Sequence, residues 1–187
     1  QTIYFPFQTP VRTILLGETI GDNSIDLEHA FSIGVTMGGV YNFNSKERNV
    51  WIEYKPELLE GIVAGGQELE LMPESYFNAT FDHVTIPVGD ISGKVRVDLT
   101  DQFFQDSLSV DLHYVIPLVI TDANGDSILS GKPVYGVDDP DIRKASHWEI
   151  QPKNYTLFAV KYINPFHGMY FVRGRSIKKE SGVNVDT

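Results

Sequence analysis

Short runs in which apolar and polar side chains alternate constrain this chain more than any other feature. In residues 30–37 every second side chain is apolar, and residues 94–99 repeat the pattern. A two-residue period places alternate side chains on opposite faces of a β-strand, so each run predicts a strand with one buried face. The side chains expected to point inward include Phe31, Ile33, Val35, Val95, Val97, Val115 and Ile120.

The runs recur along the chain and are separated by Gly, Pro, Asn and Asp. Strands are predicted at residues 2–7, 11–16, 30–37, 49–54, 68–71, 83–87, 94–99 and 112–121, with single helical turns within 56–63 and 100–104. The aromatic share of 12% suits pleated sheets. The sequence therefore predicts an all-β fold, an immunoglobulin-like Greek-key β-sandwich, although a chain with 0 Cys lacks the cysteine pair usual in that fold.

One turn is specified by its residue types. Asn124-Gly125 supplies the two positive φ angles of a tight hairpin. Asp122, Asn124 and Asp126 imitate the start of a calcium-binding loop. We do not predict calcium, because Ser127 replaces the glycine and Pro133 the bidentate glutamate that such a loop requires.

Charge changes sign along the chain. Residues 1–140 contain 7 Lys and Arg against 21 Asp and Glu, whereas residues 141–187 contain 8 against 4. The change falls at an acidic, Pro-containing stretch. We predict a sandwich domain at 1–137, an acidic linker at 138–147, and at 148–187 an additional β-hairpin or truncated second β domain. The alternative is that the acidic stretch is a loop before the last hairpin of one domain.

Catalytic motifs are missing from the sequence. The absence of Cys excludes thiol chemistry and disulfides, the five His are widely spaced, and no Gly-x-Ser-x-Gly elbow occurs. We therefore expect no enzyme activity, catalytic residue, metal or cofactor. The net charge of −10 argues against nucleic acid, because phosphate binding needs clustered Lys and Arg. No apolar run approaches the roughly 20 residues of a transmembrane helix.

Trp51 is the leading candidate for a ligand contact. If Val50 and Ile52 face the core, the alternation turns Trp51 outward beside Glu53 and Lys55. An indole offers a flat apolar surface to a sugar ring, and charged neighbours can hydrogen-bond its hydroxyls. The alternative is that a neighbouring loop or the second domain covers Trp51. Trp148 is expected to anchor a core instead.

Several ordered motifs carry a family resemblance. They are Ile3-Tyr4-Phe5-Pro6, Arg12-Thr13-Ile14-Leu15-Leu16-Gly17, Gly38-Gly39-Val40-Tyr41, Leu71-Met72-Pro73-Glu74-Ser75-Tyr76 and Tyr114-Val115-Ile116-Pro117-Leu118. Over about residues 1–137 the chain resembles the immunoglobulin-like N-terminal domain of Bacteroides-type surface lipoproteins. Residues 154–164 and 166–170, with Trp148, resemble the opening hairpin of the second domain in such proteins.

The resemblance implies a role and a location. Similar domains precede family-eighteen endo-β-N-acetylglucosaminidases and lectin-like domains in loci with SusC- and SusD-like transporters. It implies a non-catalytic module of an outward-facing outer-membrane lipoprotein, accessory to glycan binding or uptake, with the transporters as partners. Because no basic-then-apolar signal occurs at the N-terminus, we expect Gln1 to be the start of a processed or shortened chain. The alternatives are a structural spacer or protein-interaction module without sugar contact, and a glycosidase fragment lacking its catalytic domain.

Overall fold

The structure is a computed structural model of the 187-residue chain. It describes residues 1–17, 21–39, 44–166 and 168–174, and the backbone of two strands at 177–180 and 183–186. Val40 and Tyr41 of the quoted motif, and His167, lie outside the described residues.

The described part of the chain contains short strands and very short helices. The strands are β1 (Thr2–Tyr4), β2 (Val11–Leu15), β3 (Ala30–Gly38), β4 (Arg48–Tyr54), β5 (Val63–Ala64), β6 (Gln67–Glu68), β7 (Glu70–Leu71), β8 (Phe77–Asn78), β9 (His83–Ile86), β10 (Ser92–Leu99), β11 (Tyr114–Asp122), β12 (Ser127–Ile128), β13 (Lys132–Pro133), β14 (Trp148–Ile150), β15 (Tyr155–Ile163), β16 (Ile177–Glu180) and β17 (Val183–Asp186). The α-helices are α1 (Ser24–Leu27) and α2 (Asp101–Gln105), and 3₁₀ turns occupy Pro56–Leu59, Glu74–Tyr76, Ser107–Val110 and Ala145–His147.

Two sheets form a sandwich. One has five strands in the order β12-β1-β3-β10-β8, and the other has the order β2-β15-β11-β4-β9 with β7 also beside β11. The chain passes between the sheets from β3 to β4, from β9 to β10 and from β10 to β11, which is a Greek-key path. The predicted all-β sandwich is confirmed. The pairs β5–β6, β13–β14 and β16–β17 form separate two-stranded sheets.

The core between the sheets follows the predicted alternation. Phe31, Ile33, Val35, Val97 and Ile120 are at most 2% exposed, and Val95 is partly buried against the same cluster. Val115 is also buried, but it belongs to a second apolar cluster on the outer face of the six-stranded sheet. The prediction that Val115 faces the inter-sheet core was therefore wrong, because both faces of β11 are covered and burial alone does not identify the face.

Ring packing and a close backbone approach join the two sheets in this chain, which has no cysteine pair. Phe31 on β3 stacks on Phe158 of β15 with ring centroids 5.4 Å apart. At the other side of the sandwich, a Cβ on Gly93 would lie 2.3 Å from the carbonyl oxygen of Thr85. Glycine therefore allows β10 to approach β9 at this position, and any other residue would push the strands apart.

Strand β15 shows that the sandwich extends beyond residue 137. It lies between β11, to which it is antiparallel, and β2, to which it is parallel. The predicted domain division placed these residues in a second domain, but their hydrogen bonds assign Tyr155–Ile163 to the first. The sign of the charge changes before the last strand of the sandwich, so charge did not locate the boundary. A second β domain after Ile163 remains a prediction.

The segment predicted as an acidic linker packs on the sheet. Arg143 donates two hydrogen bonds of 2.9 Å to the Asp141 carboxylate and reaches the carbonyl oxygens of Leu58 and Glu60 at 3.3 and 2.7 Å. Trp148 is half-buried, and its indole N–H donates to the Asp141 carbonyl at 2.9 Å. These hydrogen bonds tie Asp141, Arg143 and Trp148 to the domain, so the segment differs from the linker that its composition predicts.

The Asn124-Gly125 turn is confirmed, with φ angles of 49° and 88°. The hairpin expected around it was wrong, because β12 pairs with β1 in the other sheet. Both edges of β11 are already occupied, by β4 on one side and β15 on the other. The turn therefore carries the chain across the sandwich.

Candidate functional site

The first candidate surface, which we call the Trp51 patch, comprises Trp51, Glu53, Lys55 and His83 on the outer face of the six-stranded sheet. Val50 and Ile52 are 0% and 2% exposed and face the core, so the outward direction predicted for Trp51 and Glu53 agrees with the structure. Lys55 follows the end of β4. The sequence therefore located three neighbouring side chains on one surface.

Trp51 in this patch is half-buried, an arrangement between the two alternatives that the sequence left open. It lies opposite His83 on β9, with ring centroids 6.3 Å apart and planes inclined by 38°. His83 in turn contacts the Asp82 carboxylate at 2.9 Å. The patch thus offers two adjacent rings, one of them polar, with a carboxylate at their edge.

Glu53 and Lys55 bind each other. The Lys55 ammonium donates to Glu53 at 2.8 Å, and both side chains are exposed. This hydrogen bond and the Glu53 charge raise the pKa of Lys55. A ligand at the Trp51 patch would compete with this pair, so these two residues gain little from new hydrogen bonds.

The second candidate surface is a groove, which we call the edge groove, of about 730 Å³. Its size lies within the range usual for small-molecule sites. Its lining residues are Tyr54, Glu74, Phe77, Asn78, Ala79, Thr80, Phe81, Arg96 and Asp98. They come from the end of β4, the 3₁₀ turn Glu74–Tyr76, β8 and the segment after it, and the outward side of β10, so the groove spans one edge of the sandwich.

Aromatic rings make a firm surface in the edge groove. Tyr54, Phe77 and Phe81 are partly buried and pack against the main core. The Phe77 and Phe81 centroids are 5.8 Å apart with planes at 42°. Burial, and then the charge of Glu74, raise the pKa of Tyr54, so its hydroxyl stays protonated at neutral pH. Rings supported by the core present apolar contact without losing much side-chain entropy on binding.

Polar groups border these rings. The exposed amide of Asn78 lies beside Asp98 across the β8–β10 pairing. Arg96 bonds Asp98 through Nε at 2.7 Å and Glu28 through a terminal nitrogen at 2.8 Å. The groove therefore combines apolar faces with hydroxyl, amide, guanidinium and carboxylate groups.

Sequence reasoning missed the edge groove. Its signal was present in residues 76–81, where three rings occur within six positions among Asn and Thr. The alternation argument did not single them out, because β8 has only two residues and the segment after it lacks a period. Rings in an aperiodic stretch need tertiary structure to be assigned a face.

The other notable polar clusters of the described residues have structural partners. Asp106 accepts from Tyr76 at 2.9 Å and from Tyr114, at the start of β11, at 2.5 Å. The hydrogen bond from Tyr114 is the main cause that lowers the pKa of Asp106. This arrangement is similar to the tyrosine corner of immunoglobulin-like folds, with a carboxylate as the acceptor.

The residues that imitate a calcium loop are held by other contacts. Asp126 pairs with Arg48 at 2.8 Å, and both side chains are almost fully buried. Within residues 1–17, 21–39, 44–166 and 168–174, no three His, Asp or Glu side chains form a group that could hold a metal ion. In that same part of the chain, every helix is too short or too polar to cross a membrane.

The fold and its surfaces define a β-sandwich domain with an aromatic groove at one edge. A family model described as an N-terminal domain matches residues 1–127. The chain belongs to this family of N-terminal domains. No curated protein matches the sequence.

Solved structures from Bacteroides resemble the chain. A Bacteroides ovatus protein of unknown function is 40% identical, with a TM-score of 0.86, over 100% of this chain and 59% of that one. The chain thus spans 59% of that relative's length. Two others share the fold at 15% identity.

The first of these two is a putative carbohydrate binding protein from Bacteroides ovatus, with a TM-score of 0.51 over 98% of this chain and 44% of that one. The second is an auxiliary nutrient binding protein from Bacteroides thetaiotaomicron, with a TM-score of 0.50 over 95% of this chain and 53% of that one.

Proposed function

We propose that this chain is a non-catalytic module of a bacterial cell-surface protein and that it binds glycan in the edge groove. The observation that carries the proposal is the set of three core-supported rings, Tyr54, Phe77 and Phe81, bordered by hydrogen-bonding groups. Sugar rings have apolar C–H faces and a rim of hydroxyls. The groove offers a partner for each.

The comparisons support the class of ligand and not its identity. One structure with this fold is named as a putative carbohydrate binding protein and another as an auxiliary nutrient binding protein. An outer-membrane lipid anchor and SusC- and SusD-like partners belong to the same proposal, on the strength of the family resemblance. The comparisons give no support to a glycosidase fragment.

The Trp51 patch is a second contact within this proposal. Trp51 and His83 form a smaller platform, and Glu53 and Lys55 border it. Phe81 and His83 are two residues apart, so their Cα atoms lie within about 7.6 Å of one another. A glycan held in the edge groove therefore has a second pair of rings close to one end of the groove-lining segment.

Substitution of one ring on each surface tests the proposal. Retention of the purified chain is measured by electrophoresis through gels containing neutral plant or host polysaccharides. Phe81→Ala should weaken retention about tenfold, or about 1.4 kcal/mol, because it removes a ring from the groove. Trp51→Ala should have a similar or smaller effect if the patch extends the same site.

Stability must be separated from binding in this test. Phe81 is partly buried, so melting temperatures accompany each gel. Asn78→Ala removes only an exposed amide and should weaken retention severalfold with an unchanged melting temperature. Loss of retention that merely follows loss of folding, or no retention of the wild type on any gel, would refute the proposal.

A second candidate function, protein contact, is favoured by an exposed apolar segment after β15. Phe166, Met169, Tyr170, Phe171 and Val172 are 69% to 103% exposed. Exposed apolar surface on this scale is typical of an interface. We infer that the occupant is a further domain of a longer protein, because this chain spans only 59% of the length of the 40% identical relative.

A paired substitution tests the protein-contact role. If a longer chain includes such a domain, Phe171→Ser with Val172→Ser should loosen its contact with the sandwich and increase proteolysis between the two. Retention on polysaccharide should not change. Unchanged proteolysis would refute the contact.

A further inference from the structure

We propose that the edge groove selects neutral glycans and rejects those carrying carboxylate or sulfate groups. The inference rests on the proposed glycan-binding function and adds the chemical class of the ligand. It follows from the charged side chains around the groove, because the aromatic rings alone do not distinguish neutral from acidic sugars.

Arg96 is the only basic side chain among the described residues that line the groove. Its guanidinium is already engaged on two sides, by Asp98 at 2.7 Å and by Glu28 at 2.8 Å. A uronate or sulfate could reach only the remaining N–H groups of Arg96, and it would lie close to the carboxylates of Asp98 and Glu28. Two carboxylates already offset the charge of the guanidinium, so Arg96 is a weak receptor for a further anion, although arginine is the residue best suited to that task.

Carboxylates outnumber this one cation. Glu74 and Asp98 line the groove, and Glu28 reaches it through Arg96. With Arg96 included, these four groups carry a net charge of −2. The whole chain adds to the same sign, with a net charge of −10. An acidic polymer thus meets repulsion both on approach and at the site.

A neutral sugar meets no such opposition. Its hydroxyls can donate to the oxygens of Glu74 and Asp98, since a carboxylate accepts hydrogen bonds without requiring a charged partner. The Asn78 amide can both donate and accept. The rings of Phe77 and Phe81 contact the C–H faces. A neutral sugar can therefore contact the carboxylates, the amide and the aromatic rings of the groove.

A matched pair of polysaccharides tests this inference. A neutral galactomannan or xyloglucan that retains the chain is compared with the same polymer after oxidation of its primary alcohols to carboxylates. At ~20 mM salt the oxidised polymer should bind at least about tenfold more weakly, and the difference should shrink at ~0.5 M salt as the charges are screened. Polygalacturonan and chondroitin sulfate serve as natural acidic probes and should bind weakly.

Glu74→Gln locates the effect in the groove. This variant should reduce the ratio of the affinities for the neutral and oxidised polymers about threefold. Asp90→Asn removes one exposed charge in the turn between β9 and β10, outside the groove lining, and should leave the difference unchanged. Both variants alter only exposed side chains, so the fold should persist.

The outcomes separate the two proposals. Equal or stronger binding of the acidic polymers overturns the inference and leaves glycan binding in place. An equal response to Glu74→Gln and Asp90→Asn also overturns it, because the selectivity then comes from total charge. If neither neutral nor acidic polymers bind, the proposed function fails, and the inference fails with it.

Discussion

The outer face of the six-stranded sheet has two halves, which differ in residue composition and in how far other segments of the chain bury them. On β11 and β15 the outward side chains Val115, Leu157 and Ala159 are at most 6% exposed. They lie under the 3₁₀ turn Pro56–Leu59 and neighbouring apolar residues such as Ile62 and Ile142. On β4 and β9 the outward side chains include Trp51, Glu53 and His83, which form a half-open polar surface.

The difference shows that one sheet face can serve two purposes. The covered half stabilises the domain by removing apolar area from water, worth roughly 25 cal/mol per Å². The half-open part keeps groups that can still exchange hydrogen bonds with a ligand. The segment at 141–148, which Arg143 ties down, supplies part of the cover. The following predictions test this division.

Removal of the C-terminal segment should have the largest effect. A chain ending at Val137 lacks β15, so β2 loses the strand to which it is paired and β11 loses one neighbour. We expect no cooperative thermal unfolding transition, because the sheet and its covered face are both incomplete. Circular dichroism during heating measures this.

A chain ending at Phe166 is the matched control for this truncation. It keeps β15 and should unfold cooperatively near the melting temperature of the full chain. A cooperative transition in the shorter chain would show that residues 1–137 form the complete domain that the sequence predicted.

Arg143→Ala should have the next largest effect. The guanidinium joins Asp141 to the carbonyl oxygens of Leu58 and Glu60, and only 25% of its side chain is exposed. We expect a loss of about 1–3 kcal/mol in the free energy of unfolding, measured in urea. Lys144→Ala is the control, because Lys144 is 62% exposed and 3.9 Å from Asp141. Equal effects of the two variants would contradict the role given to Arg143.

Acid should weaken the same contact. The hydrogen bonds from Arg143 are the main cause that lowers the pKa of Asp141 from 3.8 to about 2. Because the folded pKa is depressed, the stabilisation is fully present above pH 3.8 and is lost as pH falls towards 2. It amounts to about 1–2 kcal/mol after allowance for partial exposure.

The variant Asp141→Asn isolates this contribution. Its free energy of unfolding should be lower than that of the wild type at pH 6, and the gap should close near pH 2. A gap that stays constant over this range would contradict the assignment to Asp141.

The smallest effect is expected in the half-open part. The Lys55 and Glu53 side chains are 42% and 54% exposed, and exposed ion pairs contribute little to stability. Glu53→Gln should therefore leave the melting temperature unchanged within experimental error. A clear drop would mean that the half-open surface is held as firmly as the covered one.

The sequence predicted the strands with long alternation more reliably than their partners. Residues 30–37 and 94–99 agree with β3 and β10, because each strand has one face in the core. β15 was misassigned because its pairing with β2 joins residues about 150 positions apart, which no local pattern records. The packed acidic segment was misjudged because a bidentate Asp141–Arg143 contact cannot be read from composition.

The two candidate sites differ in the same way, because one lies on a single strand and the other is built from distant segments. Trp51, Glu53 and Lys55 follow from one alternating strand, so their shared surface could be predicted. The edge groove draws Tyr54, Phe81 and Arg96 from three separate segments of the chain. Only the sandwich brings these residues together.

The position of β15 also has a consequence for how fast the sandwich folds. β2 and β15 join residues about 150 positions apart, so a long loop must close before their hydrogen bonds can form. Domains that depend on such distant pairings fold slowly. Until β15 docks, the edges of β2 and β11 are open to pairing with other chains. The folding chain is thus most exposed to misassembly just before these two distant strands meet.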